Sequence, residues 1–258
     1  MRLPLVKRVA DRACSWKSKN ARHGKDRGLT KAAKPPSGVL ERGLHLLDCF
    51  TQDQPRLQLR ELAEISGLDK ATALRALKTL VEYNYLQKSG DGYYSPGPMN
   101  LRLAALFRRT SNMVSRLEDP IQAISTRVNH TTSFFVRSND DRMCLARDHA
   151  VRDFRYFIEV GASVSMKQGG AAAKVLEAFT DPDSEVNART RRNGYYISRG
   201  ERNRHLASVG IPVFEGDGSF LGAIAITGMA VDLTDEMLLD FARIAAEELS
   251  KVGFRTRQ

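Results

Sequence analysis

The stretch "EISGLDKATALRALKTL", Glu64 to Leu80, decides how this chain folds at its N-terminal end. It starts as a helix, breaks at Gly67 and resumes at once with lysine and arginine among its leucines. Stepping 100° per residue from Lys70 gathers Ala73, Leu77, Leu80 and Val81 on one arc, flanked by Leu74 and Ala76. The opposite arc collects Ala71, Thr72, Arg75, Lys78, Thr79 and Glu82. One face can pack; the other carries short hydroxyls and cations. Upstream, "LRELAEIS" spaces Leu59, Leu62, Ala63 and Ile65 as a first helix. Gly67 can adopt the left-handed conformation that ends that helix, and Asp69 can cap the next. Ala63 is small where the two helices must cross closely. The pattern predicts a helix-turn-helix, in which the second helix enters the major groove with its N-terminal residues toward base edges. A helical corner with one solvated basic face fits the same residues, so the flanks have to decide.

On the N-terminal side, "VLERGLHLLDCF" sets Leu40, Leu44, Leu47 and Phe50 on one side of a helix able to cover the pair. On the C-terminal side, "NYLQKSGDGYYSPG" reads as a hairpin: Tyr85–Lys88, a turn at Ser89–Gly92, then Tyr93–Ser95. Helix, helix-turn-helix and hairpin together describe a winged helix over residues 39–98. Its expected DNA contacts are Lys70, Ala71, Thr72, Arg75, Lys78 and Thr79 on the second helix, with Lys88 on the wing. Arg75 is expected at a base edge, because a guanidinium can donate two bonds to guanine O6 and N7. Lys70 and Thr72, one turn earlier, are expected at phosphates or a pyrimidine edge.

Charge separates the ends of the chain. Of the net +10, residues 1–38 hold eleven Lys/Arg against Asp11 and Asp26, a surplus of nine. The remainder holds 29 Lys/Arg and 28 Asp/Glu. The tail lacks hydrophobic periodicity and ends in Pro35-Pro36-Ser37-Gly38, so it reads as a flexible basic segment. An arm for DNA phosphates, an inconsequential solvated terminus and translation from an upstream start all fit it. With 42% hydrophobic and 27% charged residues, the chain as a whole reads as soluble and globular. The longest nearly uncharged run, Phe220 to Val231, is too short to span a bilayer. No signal-peptide pattern is present, and three scattered cysteines, Cys14, Cys49 and Cys144, suit a reducing compartment. The expectation is a cytoplasmic protein with no membrane partner.

The second half reads as an α+β domain. "MNLRLAALFRRTSNMVSRLE" predicts a linker helix over residues 99–118 whose apolar surplus can pair with a second subunit or pack within the chain. Asp119-Pro120 would then cap a helix from Ile121 to Asn129. Strands are expected near Thr132–Arg137, Met143–Arg147, Phe154–Val160, Ser208–Phe214 and Phe220–Thr227, with helices from Gly169-Gly170 to Phe179 and from Asp235 to Val252 behind Thr234. Along the last strand, Ala223, Ala225 and Thr227 share one face and Ile224 and Ile226 the other. Small and hydroxyl-bearing residues suit a cavity; the isoleucines suit a core.

Taken in order, "VLERGLHLLDCF", "LRELAEISGLDKATALRALKTLVEYNYLQK" and "GYYSPGP" resemble the DNA-binding half of the IclR family of bacterial transcriptional regulators. "EVGASVSMKQGGAAAKVLEAF", "NGYYISRGE" and "LASVGIPVFEGDGSFLGAIAITGMAVDLTDE" resemble that family's effector-binding half. The resemblance covers nearly everything after residue 38. It implies a GAF-like antiparallel-sheet effector domain over residues 119–258, joined to the winged helix by the linker helix. It implies a homodimer, often paired into tetramers, that binds double-stranded operator DNA and answers to a small-molecule effector, here expected to be an organic acid. By the same resemblance the effector would touch Gly161 and Ala162 through their backbone N–H groups, together with Ser198, Ser208, Ala225 and Thr227. The chain departs from the family pattern in three places. Ser163 and Ser165 stand where Arg-x-Pro commonly follows the loop glycine, Ala172-Ala173-Lys174 replaces Gly-Lys-Ala, and the connection "TDPDSEVNARTRRNGYY" is shorter than usual. A pocket wall is therefore expected to be missing or replaced.

Catalytic signatures are not found. The histidines form no HxH or HExxH, no GxSxG occurs, and "GDGSFLG" has hairpin rather than dinucleotide-loop spacing. Asp140-Asp141 and the Asp148/Asp153 pair read as solvated turns rather than metal ligands. No cofactor and no enzymatic activity is expected. Two other classes stay open: a ligand-independent architectural DNA-binding protein with a degenerate sensor, and a GAF-like enzyme fused to a DNA module.

Overall fold

The computed structural model describes residues 38–148, 158–181 and 185–256. The basic tail up to residue 37, Asp153, and the first part of the strand expected over 154–160 lie outside the described residues. Ile158 to Val160 are described and run as coil and turn instead of strand.

The N-terminal unit is built on α1 (Val39–Leu47), α2 (Leu59–Ser66) and α3 (Lys70–Glu82), with a three-stranded sheet of β1 (Leu57–Gln58), β2 (Leu86–Lys88) and β3 (Tyr93–Pro96). Gly67 ends α2 at φ 67°, a conformation open to a residue without a Cβ. Leu62, Ala73, Leu77, Leu86 and Tyr94 close the core between the helices and the wing. Full burial of a leucine contributes about 1.5–3 kcal/mol, so Leu62 and Leu77 each hold a substantial share of this small core. Two expectations need correcting here. Leu40 and Leu44 of α1 are exposed, because α1 meets the core through its C-terminal end, where Leu46 and Cys49 are buried and Leu47 and Phe50 partly so. The wing also has a third strand: β1 pairs antiparallel with β3, Leu57 opposite Tyr94.

The expected single linker helix over 99–118 is two helices, α4 (Pro98–Thr110) and α5 (Asn112–Val128). Ser111 interrupts them in extended conformation, and its hydroxyl caps α5 by accepting the Val114 N–H at 3.4 Å. Serine competes for backbone groups in this way wherever a helix can restart. Asp119-Pro120, expected to open a helix, instead lies inside α5. Val114, Leu117, Ile121, Ile124 and Val128 are buried along one side of α5, and that packing carries the helix through the proline.

The second unit centres on a six-stranded antiparallel sheet in the order β6-β5-β4-β9-β8-β7. Its strands are β4 (Thr131–Ser138), β5 (Asp141–Asp148), β6 (Ser163–Ser165), β7 (Tyr196–Arg199), β8 (Leu206–Phe214) and β9 (Phe220–Met229). One face carries Phe134, Val209, Ile211, Ile224 and Ile226 against α5 and the last helix, α8 (Asp235–Lys251), through Leu117, Ile121, Leu238 and Leu249. The other carries Phe135, Cys144, Ala223 and Ala225 against α6 (Ala171–Thr180). Gly210 brings sheet and helix together: a Cβ there would meet the Ala171 carbonyl oxygen at 2.6 Å. The short connection holds one helix, α7 (Glu185–Asn193), which donates Asn187 Nδ2 to Asp181 O and Arg191 Nη1 to Ala178 O at the C-terminal end of α6. The fold is therefore a mixed helix and antiparallel-sheet architecture with an N-terminal helix-turn-helix and a C-terminal sheet domain.

Candidate functional site

Two places in the described residues concentrate polar side chains on a well-defined scaffold. The first is the front of α3. Asp69 accepts the Thr72 N–H at 2.9 Å, and the hydrogen bonds from Thr72 hold its carboxyl below the ordinary carboxylate value. This cap fixes the start of the helix, from which Lys70 and Ala71 project exposed and Thr72 half-buried. Arg75, Lys78 and Thr79 continue the exposed face for two more turns while Ala73 and Leu77 are fully buried behind it. Arg75 Nη2 donates to the Thr72 hydroxyl at 3.3 Å, and Thr79 Oγ1 to the Arg75 carbonyl at 3.4 Å. On the wing, Lys88 lies exposed with Nζ 5.4 Å from the Tyr94 ring centre. All seven expected DNA contacts thus fall on the helix front or the wing. Sequence reasoning missed Arg56, which bonds Asp91 of the wing turn at 3.1 Å and covers the Tyr93 ring at 5.1 Å. The two-residue strand beside it is too short to leave a periodic signal.

The second place is a cavity of about 70 Å³ between the sheet and the N-terminus of α6. Cross-strand registry explains its floor. Ser198 lies opposite Ser208, Ser208 opposite Thr227, and Thr227 opposite Thr131, so one rung across β7, β8, β9 and β4 is all hydroxyl. Ser198, Ser208, Ala225 and Thr227, expected as effector contacts, all line the cavity. Gly161 and Ala162 do not. Their N–H groups are bound to Cys144 O at 2.8 Å and Glu159 O at 3.0 Å, because the loop closes on β5 rather than turning toward the cavity. None of the described residues of α7 lines the cavity, whereas Glu201, Arg202 and Asn203 of the loop before β8, and Leu206 at its start, do.

The lining also contains Arg142, which the sequence did not single out. It is 2% exposed, its Nη1 reaches only the Ser165 carbonyl at 3.4 Å, and its Nε has no protein partner. Burial, with Arg202 nearby, lowers its pKa to about 10, so it remains a cation at neutral pH. Glu201 accepts the Gly170 N–H at 2.9 Å and the Tyr196 hydroxyl at 3.0 Å. Burial and Glu201 together push the Tyr196 phenol up to about 12, keeping it a donor.

A wider cleft of about 310 Å³ lies between α5 and β5, lined by Arg108, Glu118 and Arg147 among others. Its cations are already paired, Arg108 with Glu118 at 2.9 Å and Arg147 with Glu159 at 3.0 Å, so it offers less to a ligand than the smaller cavity. Among the described residues, no cluster of three or more His, Cys, Asp or Glu is arranged to hold a metal, and no helix is long and apolar enough to cross a membrane.

Comparison with known proteins bears on both places. Residues 39–90 match the IclR helix-turn-helix domain, and residues 184–251 match the bacterial transcriptional regulator IclR C-terminal domain. The chain is 22% identical to the HTH-type transcriptional regulator KipR of Bacillus subtilis, covering 83% of this chain and 96% of that protein. Its fold is similar to the crystal structure of an IclR family transcriptional regulator from Brucella abortus, with a TM-score of 0.71, 21% identity, and coverage of 88% of this chain and 95% of that one. It is also similar to an IclR homologue from Microbacterium hydrocarbonoxydans crystallised with 4-hydroxybenzoate, with a TM-score of 0.64, 19% identity, and coverage of 83% and 100%.

Proposed function

We propose that this chain is a transcriptional regulator of the IclR type, in which α3 reads an operator while the sheet cavity senses a small effector, a reading supported by the two matching domains. The observation carrying the DNA half is the division of α3. A single capped helix buries Ala73 and Leu77 behind it and offers Lys70, Ala71, Thr72, Arg75, Lys78 and Thr79 in front. Arg75 is assigned to a base edge, most simply guanine, and Lys70, Lys78 and the wing Lys88 to phosphates. The effector half is supported by the hydroxyl rung of Ser198, Ser208 and Thr227 beside Ala225, and by the relative crystallised with 4-hydroxybenzoate. Gly161 and Ala162 are assigned to shaping the loop, not to touching the ligand.

We further read the protein as a homodimer, able to pair into tetramers and acting in the cytoplasm without catalytic turnover. Supporting this, α4 has no buried residue, and Leu101, Leu103, Leu106 and Phe107 stand exposed along it, as do Leu40 and Leu44 of α1. A dimer would present two copies of α3 to a palindrome with half-sites about one helical turn apart. Footprinting on genomic fragments selected by the protein tests this reading. Two protected half-sites at that spacing are expected, and protection of one isolated half-site by a monomer would refute the dimer.

A further inference from the structure

Resting on the reading of the sheet cavity as an effector site, we propose that Arg142 is its specificity-determining residue, holding the carboxylate of a small anionic ligand against the start of α6. Arg142 comes from β5, where its backbone pairs with Arg137 of β4. Its guanidinium is buried at the point where a Cβ on Gly170 would lie 3.8 Å from Nη2. Gly170 is the N-cap of α6 and has no side chain to cap that helix, and its own N–H is bound by the Glu201 carboxylate at 2.9 Å. A buried cation therefore faces the positive end of a ten-residue helix, with Arg202 adding a second positive charge to the lining.

Glu177 and Asp141 offset part of that charge and Glu201 brings a carboxylate to the lining, yet none of the ion pairs among the described residues includes Arg142, and a buried cation without a direct partner is costly. None of these carboxylates is bonded to Arg142. Both oxygens of Glu201 are engaged by Gly170 and Tyr196. Glu177 is bound to Lys174 at 2.8 Å, and Asp141 accepts from Ser163 at 3.0 Å. Arg142 Nε is one of two buried side-chain polar atoms among the described residues with no hydrogen-bond partner. A planar guanidinium with free donors matches a carboxylate. Size narrows the class: about 70 Å³ is far below the roughly 300–1,000 Å³ of sites for drug-sized ligands. The ligand is a short aliphatic acid, with the hydroxyl rung available to a second polar group. A space of that size favours such an acid over an aromatic one such as 4-hydroxybenzoate.

The test compares matched probes on the full chain by thermal shift and calorimetry: acetate and lactate, their neutral amides acetamide and lactamide, 4-hydroxybenzoate, and inorganic phosphate. Acetate and lactate are expected to raise the melting temperature more than 4-hydroxybenzoate, and the amides are expected not to raise it. Arg142→Gln should weaken acid binding by roughly tenfold or more, the loss typical of one charge-assisted contact. Without ligand, Arg142→Gln should melt no lower than the wild type, whereas an arginine with a structural role would destabilise on replacement. Equal responses to acids and amides, no response to either acid, or phosphate acting as strongly as the acids overturns the proposal. A ligand-free loss of stability in the variant does so too, and the comparison of acid with amide needs no variant. Operator binding is measured on the same preparations. If it persists while the acids fail, Arg142 alone is misassigned; if it is absent, the regulatory reading itself falls.

Discussion

The two sites of this protein handle positive charge in opposite ways. On α3 the cations Lys70, Arg75 and Lys78 stand in water on a convex surface, where each can remain ionised at little expense and meet phosphates by displacing counter-ions. In the sheet cavity Arg142 is withdrawn from water, lies beside a helix N-terminus, and reaches one carbonyl at 3.4 Å while pairing with no carboxylate. The first arrangement gives affinity that fades with salt. The second gives a site whose energetics change on arrival of one compensating group, and salt screens buried charge far less. An exposed cation face thus suits a long polyanion, and a buried cation suits selection among small molecules.

That contrast can be broken by substitutions, taken from the largest expected effect downward. Leu77→Ala removes a fully buried leucine from behind α3 and should destabilise the N-terminal unit by about 2–5 kcal/mol. Because Leu77 belongs to a core separate from that of the sheet, lactate should still raise the melting temperature of the sheet domain, read by calorimetry. Loss of the lactate response would mean the two sites share one core. Gly210→Ala sets a Cβ against the Ala171 carbonyl and should cost about 1–3 kcal/mol through forced displacement of α6. It should impair acid binding while leaving ligand-free operator affinity intact. Arg75→Ala should cost about 1–3 kcal/mol on operator DNA and relax preference at one base position. A uniform loss on operator and scrambled duplexes would instead reduce Arg75 to a phosphate contact. Last, a chain beginning at Ser37 lacks eleven cations, and its log–log salt slope should flatten by about one unit for each phosphate the tail no longer neutralises. Sequence preference should survive, and identical slopes would mean that the tail does not touch the DNA.

The DNA face was legible because each of its signals is local. Gly67, Asp69 and the alternating arcs of α3 act within a dozen residues, so propensity, capping and periodicity all point the same way. The faces of β9 were legible for the same reason, through the two-residue period of Ala223 to Thr227. The cavity was only half legible. Parity groups Arg142 with Cys144 and Ala146, but β5 is irregular: Phe134 pairs with Ala146 and Phe135 with Cys144, leaving Leu145 over. Ala146 consequently joins the α5 core while Cys144 packs on the α6 side, and no local rule announces that shift. The 200–206 loop and the start of α6 meet Arg142 only through tertiary contact, which periodicity does not carry. The break at Ser111 failed to show for a different reason: apolar residues continue on both sides of it, and a single serine hydroxyl decides the cap. The exposed side of α1 escapes sequence reading because Leu40 and Leu44 keep core periodicity on a surface that the described residues leave open.

The most direct test of a DNA face governed by a buried-cation cavity is an operator titration with and without saturating lactate, at fixed ionic strength, for the wild type and Arg142→Gln. Coupling between two sites commonly changes affinity by about 5- to 150-fold. The expected result is a change within that range for the wild type, absent with lactamide and absent in Arg142→Gln. Superimposable isotherms at lactate concentrations that fill the cavity would contradict the claim, and would leave a DNA-binding protein whose sheet domain does not govern its operator.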